Sequence, residues 1–118
     1  MLRLASDEDV HGPIIEGLLR QIPPVDIVRA VDVGLDHTPD PLILEWMANH
    51  GRVLITGDVN TMVGFAWERV RNKQPMPGVL ALTGTGTIGQ IIDDIVFVAE
   101  YYTEDEMKDM GVLYIPLK

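Results

Sequence analysis

The sequence contains no cysteine, so disulfide bonds and cysteine-ligated metal centres are excluded. Aromatic residues are scarce, at 6%, whereas 47% of the residues are hydrophobic, which predicts a core of mainly aliphatic side chains. No apolar stretch approaches the roughly 20 residues that a membrane-spanning helix needs. The first residues, MLRLASDEDV, lack the features of a secretory signal peptide. We therefore expect a cytoplasmic protein without a membrane segment.

Basic residues are few, since 9 lysines and arginines stand against 18 aspartates and glutamates, for a formal net charge of −9. A protein that binds nucleic acid only through the phosphate backbone needs a basic surface, so this class is disfavoured. A nuclease with an acidic metal site is not excluded, because a bound ion would neutralise part of the charge. The acidic segment EYYTEDEMKDM (residues 100–110) is typical of a solvated surface.

Apolar runs alternate with segments of helical periodicity along the whole chain, which has the length of one domain, residues 1–118. Helices are expected between successive strands, in the order βαβαβαβαβ. This alternation predicts an α/β fold, a three-layer α/β/α sandwich around a mainly parallel sheet of about five strands. The predicted strands are residues 2–6, a part of 25–33, 52–56, 78–82 and the final segment VLYIPL.

Acidic residues stand where two of the predicted strands end. Asp7 follows the first strand, Asp58 follows the strand at 52–56, and Asp40 opens the predicted helix between them. Because the carboxyl ends of parallel strands share one edge, Asp7 and Asp58 are expected at the edge where open α/β sheets bind ligands. Carboxylates gathered there form an oxygen site for a hard divalent cation such as Mg²⁺ or Mn²⁺.

Each of these acids also has a purely structural explanation. Asp58 and Asp40 occupy positions from which an aspartate can cap the helix that follows. Asp7 is harder to explain in this way, because Glu8 and Asp9 crowd it with charge of the same sign. The spacing of the acids leaves both interpretations open.

From SDEDVHGPIIEGL through PDPLILEWMANHGRVLITGDVNTM, the chain resembles the compact PIN-like domains related to toxin ribonucleases of bacterial toxin–antitoxin modules. The shared features are Asp7-Glu8 after the first strand, Asp40 before the third strand, and Thr56-Gly57-Asp58 after it. The later segments FAWERV, MPGVLAL and IGQIIDDI resemble a subgroup of the same family. The resemblance extends over nearly the whole chain.

The resemblance implies a metal-dependent ribonuclease that hydrolyses phosphodiester bonds. Asp7, Asp40 and Asp58 would be the catalytic, metal-binding acids, with Mg²⁺ or Mn²⁺ as the cofactor. The ion would lower the pKa of a bound water and stabilise charge at phosphorus. A toxin role would further imply an antitoxin protein that occupies the acidic cleft, for example with an inserted basic side chain.

Supporting roles follow from the same resemblance. Glu8 would be a supporting acid, and Thr56 would hydrogen-bond a carboxylate or the scissile phosphate. Many PIN-like chains have a further acid at the position of Asn60, so this chain lacks one charge and is expected to hold a single ion. Asp94 is a candidate for a further acid, with a solvated helix face as the alternative.

Positively charged residues that could contact substrate phosphates are Arg69, Arg71 and Lys73, together with Arg29 and Arg52. Arg69 lies on an apolar stripe, so pairing with a buried acid is an alternative. His37 lies in a predicted loop beside the proposed site and is a further substrate-binding candidate. A homodimer is expected to help such a small acidic domain to bind a long RNA.

Two other functions are compatible with the sequence. The first is a PIN-like binding domain that has lost catalysis, since Asn60 replaces an acid. The second is a dinucleotide-binding domain, because residues 84–89 read GTGTIG, a GxGxxG pattern between a predicted strand and a predicted helix. That pattern stands at the last strand–helix turn rather than the first, which disfavours the dinucleotide function.

Overall fold

The five apolar runs form one parallel sheet in the computed structural model, which describes residues 1–117. The strand order is β2-β1-β3-β4-β5, and every neighbouring pair is parallel. The strands are β1 (Leu4–Ser6), β2 (Ile27–Arg29), β3 (Val53–Thr56), β4 (Val79–Leu82) and β5 (Val112–Ile115). The predicted sheet is therefore confirmed, although β2 is shorter than its apolar segment because Ala30–Val33 turns into a short 3₁₀ helix.

Helices connect the strands, and prolines and glycines mark several of their ends. Pro13 lies in the first turn of its helix, where its missing N–H costs nothing. Gly51 ends another helix in the left-handed conformation, with φ of 62°. The helices are α1 (Gly12–Leu19), α2 (Asp40–His50), α3 (Thr61–Arg71), α4 (Ile88–Tyr101) and α5 (Glu104–Met110).

Alternate strand residues point to opposite faces of the sheet, so each strand contributes to two cores. Ile55 and Leu80 belong to the core shared with α1 and α4. Leu54 and Val79 belong to the core shared with α2 and α3. All four of these strand residues are buried, which explains why the strands read as continuous apolar runs. The predicted three-layer sandwich is confirmed.

The acidic segment 100–110 contains a helix that the sequence did not indicate. Thr103 and Glu106 form a reciprocal capping box at the start of α5, and Met107 is fully buried against the core. The acids of the first turn, Glu104 and Asp105, remain exposed, as a solvated surface requires. Met107, the partly buried Met110 and a capped first turn therefore hold this segment against the core.

The order of the strands creates a switch point between β1 and β3. The chain leaves β1 toward β2 on one side and later places β3 on the other side of β1. The connections that follow these two adjacent strands therefore diverge, and a crevice forms at their carboxyl ends. The edge of the sheet formed by the carboxyl ends of all five strands is called the carboxyl edge below.

Within residues 1–117, no helix is long and apolar enough to cross a membrane.

Met107 anchors α5, so truncating it should destabilise the whole domain. We expect Met107→Ala to lower the free energy of unfolding by about 2–4 kcal/mol, because it removes a fully buried side chain and leaves a cavity. Urea denaturation measures this difference. Asp109→Ala, an exposed position on the same helix, should change the stability by less than about 0.5 kcal/mol. Equal effects of the two variants would mean that α5 is not docked through Met107.

Candidate metal site at the carboxyl edge

Asp7 lies at the switch point because the pairing of β1 with β3 continues beyond the end of β1. Ser6 pairs with Ile55, and the N–H of Asp7 donates a hydrogen bond of 3.1 Å to the carbonyl oxygen of Ile55. The carboxylate therefore lies over the centre of the sheet rather than in a free loop. Asp7 is only 6% exposed, which is unusual for an aspartate without a basic partner.

Gly57 allows the loop after β3 to approach the loop after β1. A Cβ atom at Gly57 would lie 2.9 Å from the carbonyl oxygen of Asp9, so a larger residue would push the two loops apart. Glycine is required here for close approach of two backbones. The motif Thr56-Gly57-Asp58 thus brings Asp58 and Asp9 to the same part of the carboxyl edge.

Thr56 organises the acids on both sides of it. Its side chain is fully buried, and its hydroxyl oxygen accepts a hydrogen bond of 3.0 Å from the N–H of Asp58. The Thr56 side chain also hydrogen-bonds Asp7, which favours the charged form of that carboxylate. Thr56 therefore positions the backbone of Asp58 and lowers the pKa of Asp7.

Burial raises the pKa of Asp7 from 3.8 to about 6, and this desolvation is the largest effect on it. Hydrogen bonds from the Thr56 side chain and from the N–H of Asp9 act in the opposite direction. The negative charges of Asp9 and Asp40 raise the pKa further. Asp7 thus keeps its proton to a higher pH than an ordinary aspartate, although the charged form still predominates above about pH 6.

Asp40 faces the same group of acids. The sequence suggested that it might cap α2, but that alternative is wrong, because Pro39 is the N-cap residue and no side chain caps this helix. Burial, followed by the charges of Asp58 and Asp9, raises the pKa of Asp40. Asp7 and Asp9 from the loop after β1, Asp40 from the start of α2 and Asp58 from the loop after β3 therefore form one acidic cluster.

The sequence left open whether Asp58 holds the helix that follows it or belongs to the acidic site. In the structure it contacts the start of α3, and its charge also acts on Asp40. Its Oδ1 atom accepts hydrogen bonds from the N–H groups of Asn60 and Thr61, at 3.0 and 2.9 Å, and so holds the start of α3. One oxygen thus positions the residue, and the other, Oδ2, has no hydrogen-bond partner within residues 1–117.

The members of the acidic cluster act on one another through their charges, but they do not yet surround a common point. Within the part of the chain that the structure describes, no three aspartate, glutamate or histidine side chains are arranged as a ready-made ligand set. Mutual repulsion opposes a closer approach of these carboxylates when all are charged. A divalent cation is the kind of ligand that would offset this repulsion.

Asp9 is the member of the cluster to which the sequence analysis assigned no site role. It stands two residues beyond Asp7, and from the sequence it was considered only as a like charge that crowds Asp7. Its charge acts on both Asp7 and Asp40, and its backbone contacts Gly57. The sequence does contain a hint, since three consecutive acids directly after a buried strand cannot all face away from the sheet edge.

The other acids and amides proposed from the sequence lie around or away from the cluster. Glu8 is exposed beside Asp7. Asn60 is exposed at the N-cap position of α3 but does not cap the helix with its side chain. Asp94 accepts a hydrogen bond of 2.7 Å from the N–H of Leu117, which ties α4 to the segment after β5. No interaction within residues 1–117 links Asp94 to the acidic cluster.

The basic residues proposed to bind phosphate are not gathered at the cluster. Arg69 and Arg71 lie in the last turn of α3, roughly 12–15 Å along the helix from its start. Arg69 donates two hydrogen bonds to the carbonyl oxygen of Pro75 rather than pairing with a buried acid. Arg52 pairs with Asp26 at 2.8 Å, beside the start of β3.

Arg29 is the basic residue that shares a cleft with the cluster. A cleft of about 440 Å³ lies between α1 and the end of β2, and Asp7, Glu8 and Arg29 line it. The guanidinium of Arg29 forms an exposed ion pair with Asp32 at 2.9 Å. His37 is exposed and has a left-handed backbone, with φ of 57°, in the loop before α2.

The glycine-rich loop after β4 lies next to the acidic cluster but away from the switch point. Gly84 lines a cavity of about 260 Å³ together with Asp9 and Gly57. The predicted helix start is confirmed, since Thr87 accepts a hydrogen bond of 3.1 Å from the N–H of Gln90. Glu106, one of the acids that a dinucleotide ribose would need, is engaged in the capping box of α5. These positions disfavour the dinucleotide-binding function.

No known protein family matches the chain, and neither a curated protein nor a solved structure is significantly similar to it. The similarity to PIN-like domains thus stays a prediction that rests on the motifs of the sequence.

The raised pKa of Asp7 predicts how stability depends on pH in metal-free buffer. The folded protein disfavours the charged form of Asp7. The stability that protonated Asp7 contributes to the folded state is therefore fully present below about pH 3.8 and is lost as the pH rises through about 6. Asp7→Asn is neutral at every pH and keeps polar atoms of similar shape. We expect its free energy of unfolding, relative to wild type, to increase by up to about 3 kcal/mol between pH 4 and pH 7.5.

Urea denaturation in the presence of a chelator measures this difference at the two pH values. Asp36→Asn changes an exposed aspartate of the loop before α2 and should show no such pH dependence. A difference between Asp7→Asn and wild type that is the same at pH 4 and pH 7.5 would contradict the raised pKa.

Proposed function

We propose that this protein is a Mg²⁺- or Mn²⁺-dependent endoribonuclease of the PIN-like kind. The observation that carries the proposal is the convergence of Asp7, Asp9, Asp40 and Asp58 at the switch point, with Asp7 buried among like charges. Such a cluster lowers the stability of the folded protein. Residues that destabilise a fold are often those that its function requires. The cluster also stands at the edge where open α/β sheets bind their ligands.

The residues present fit a hard divalent cation. All four members of the cluster offer carboxylate oxygens, which Mg²⁺ and Mn²⁺ prefer. Asp40 is not engaged in capping, and the Oδ2 atom of Asp58 is free within the described residues, so both can turn toward an ion. Asp7, Asp40 and Asp58 are the proposed ligands. Asp9 supplies a fourth negative charge in place of the one that an acid at the position of Asn60 would carry.

The chain's own residues would then act by positioning and by charge. A bound cation would supply an activated water and stabilise the charge that develops at phosphorus. Thr56 hydrogen-bonds the backbone of Asp58 and lowers the pKa of Asp7, so one buried side chain links two of the proposed ligands. Arg29 lies across the cleft from Asp7, where it can contact a neighbouring phosphate if its exposed pair with Asp32 opens.

The biological setting of the proposal comes from the resemblance to toxin ribonucleases. It comprises a cytoplasmic location, an RNA substrate, and an antitoxin protein that inserts a basic side chain among the acids. A homodimer would add basic surface, because the side chains of Arg52 and Arg69 are engaged within the chain. A non-catalytic PIN-like binding domain is the second candidate, favoured by the uncharged and exposed Asn60.

RNA cleavage separates the two candidates. We expect the wild-type protein to cleave single-stranded RNA with Mn²⁺ and to be inactive with a chelator. Asp40→Asn should reduce the rate at least about a hundredfold, because it removes a charged ligand without touching a backbone hydrogen bond. Asp58→Asn should act similarly, since an amide oxygen can still accept from Asn60 and Thr61. Gel assays with end-labelled RNA measure the rates.

Asp36→Asn is the matched control for this assay, because it removes an exposed aspartate four residues before Asp40. It should leave the rate within about twofold of wild type. Equal rates for wild type, Asp40→Asn and Asp58→Asn would reject the nuclease, and absence of any cleavage together with intact Mn²⁺ binding would favour the binding domain.

Binding of Mn²⁺ should be coupled to loss of a proton from Asp7. At pH 6 roughly half of the Asp7 carboxyls are protonated, so binding should release about half a proton, whereas none is released at pH 8. Isothermal calorimetry in two buffers of different ionisation enthalpy measures this number. Asp36→Asn should behave as wild type. Binding without proton release at pH 6 would place the ion away from Asp7.

A further inference from the structure

A second cavity lies at the opposite edge of the sheet, formed by the amino ends of the strands. It has a volume of about 230 Å³ and is called the amino-edge cavity below. Leu2, Val53 and Met76, which stand before or at the start of β1, β3 and β4, are buried and line it. None of its lining residues belongs to the acidic cluster, so the cavity is a separate feature of the molecule.

The volume suits one small organic molecule. A dry cavity of about 150 Å³ lined by aliphatic side chains can hold benzene, whereas pockets for drug-sized ligands begin at about 300 Å³. At 230 Å³, the amino-edge cavity has room for a single ring or a short branched chain with one polar group. Its apolar lining would be poorly solvated, so a fully hydrophilic ion does not match it.

The polar residues at this cavity are mainly positive. Arg3 and Lys108 line it together with one acid, Glu104. Neither Arg3 nor Lys108 forms an ion pair or a side-chain hydrogen bond within residues 1–117, although the chain is strongly acidic. Two cations that have no ion pair within the described residues therefore line a cavity with a buried apolar lining.

The guanidinium of Arg3 lies over Gly51, and both residues line the cavity. Its Nη2 atom lies 2.7 Å from the place that a Cβ atom would occupy on Gly51, so the guanidinium passes directly over this glycine. Gly51 has φ of 62°, which makes a side chain unfavourable here for a second reason. The guanidinium is thus placed beside an apolar pocket, where a carboxylate can be bound with both charge and hydrogen bonds.

We infer that the amino-edge cavity binds a small monocarboxylate with an apolar body, either aromatic or branched aliphatic. The body would contact Leu2, Val53 and Met76, and the carboxylate would lie between Arg3 and Lys108. Glu104 leaves a net charge of one positive unit around the ligand, which matches a monoanion better than a dianion. The inference does not depend on the nuclease activity, since it concerns a different edge of the sheet.

Titration of ¹⁵N-labelled protein with benzoate tests this inference by NMR. We expect saturable shifts for residues around Leu2, Gly51 and Met76, and none at the acidic cluster. Benzyl alcohol, which has the same ring without the charge, and inorganic phosphate, which has charge without the ring, should each bind at least about tenfold more weakly.

Variants locate the binding. Arg3→Gln and Lys108→Gln should each weaken benzoate binding about tenfold or more, because each removes a charge-assisted contact. Lys73→Gln removes an exposed cation that does not line the cavity and should leave the affinity unchanged. Ala48→Leu places a larger side chain in the cavity and should abolish binding, while the unshifted resonances of the remaining residues verify the fold.

Three results would overturn the inference: no saturable shift with benzoate, equal affinity for benzyl alcohol, or equal weakening by Lys73→Gln and Arg3→Gln. Each of them leaves the proposed nuclease activity untouched. Conversely, a protein that does not cleave RNA would still be expected to bind benzoate.

Discussion

The parallel pairing of β1 with β3 is the contact on which the candidate site depends. It places Asp7 over the centre of the sheet by a hydrogen bond to Ile55, and it brings the two loops together where Gly57 contacts the backbone of Asp9. Asp40 joins these acids from the start of α2. The same pairing separates the connections on either side of β1, so that one strand junction creates both the crevice and the charges that face it.

The acidic cluster and the two cores have opposite effects on stability. The cores bury aliphatic side chains on both faces of a five-stranded sheet and can therefore offset the desolvation of one carboxylate. Burial raises the pKa of Asp7 to about 6, whereas Thr56 and the N–H of Asp9 partly favour its charged form. The N–H of Asp9 donates a hydrogen bond of 3.1 Å to Oδ1 of Asp7, which fixes one oxygen of a carboxylate that lines the cleft.

Much of the fold could be predicted, because strands buried on both faces read as apolar runs and prolines and glycines mark several helix ends. Helix α5 could not, since it depends on the burial of Met107 against a sheet that the local sequence does not describe. At the site, Asp7, Asp40 and Asp58 were predicted, and the charge of Asp40 acts on Asp7 while that of Asp58 acts on Asp40. Asp9 had been considered only as a like charge beside Asp7. Arg69 was predicted to contact substrate and instead binds the carbonyl oxygen of Pro75.

The sequence by itself determined the α/β class, the parallel sheet and the position of acids after two strands, because hydrophobic periodicity and strand ends are local properties. Only the tertiary structure decided which strands are neighbours, since strand order depends on contacts between distant segments. The switch point, the approach of Gly57 to Asp9 and the amino-edge cavity all follow from that order. The direction and cause of the pKa shifts were likewise decided by burial and by charges far apart in the chain.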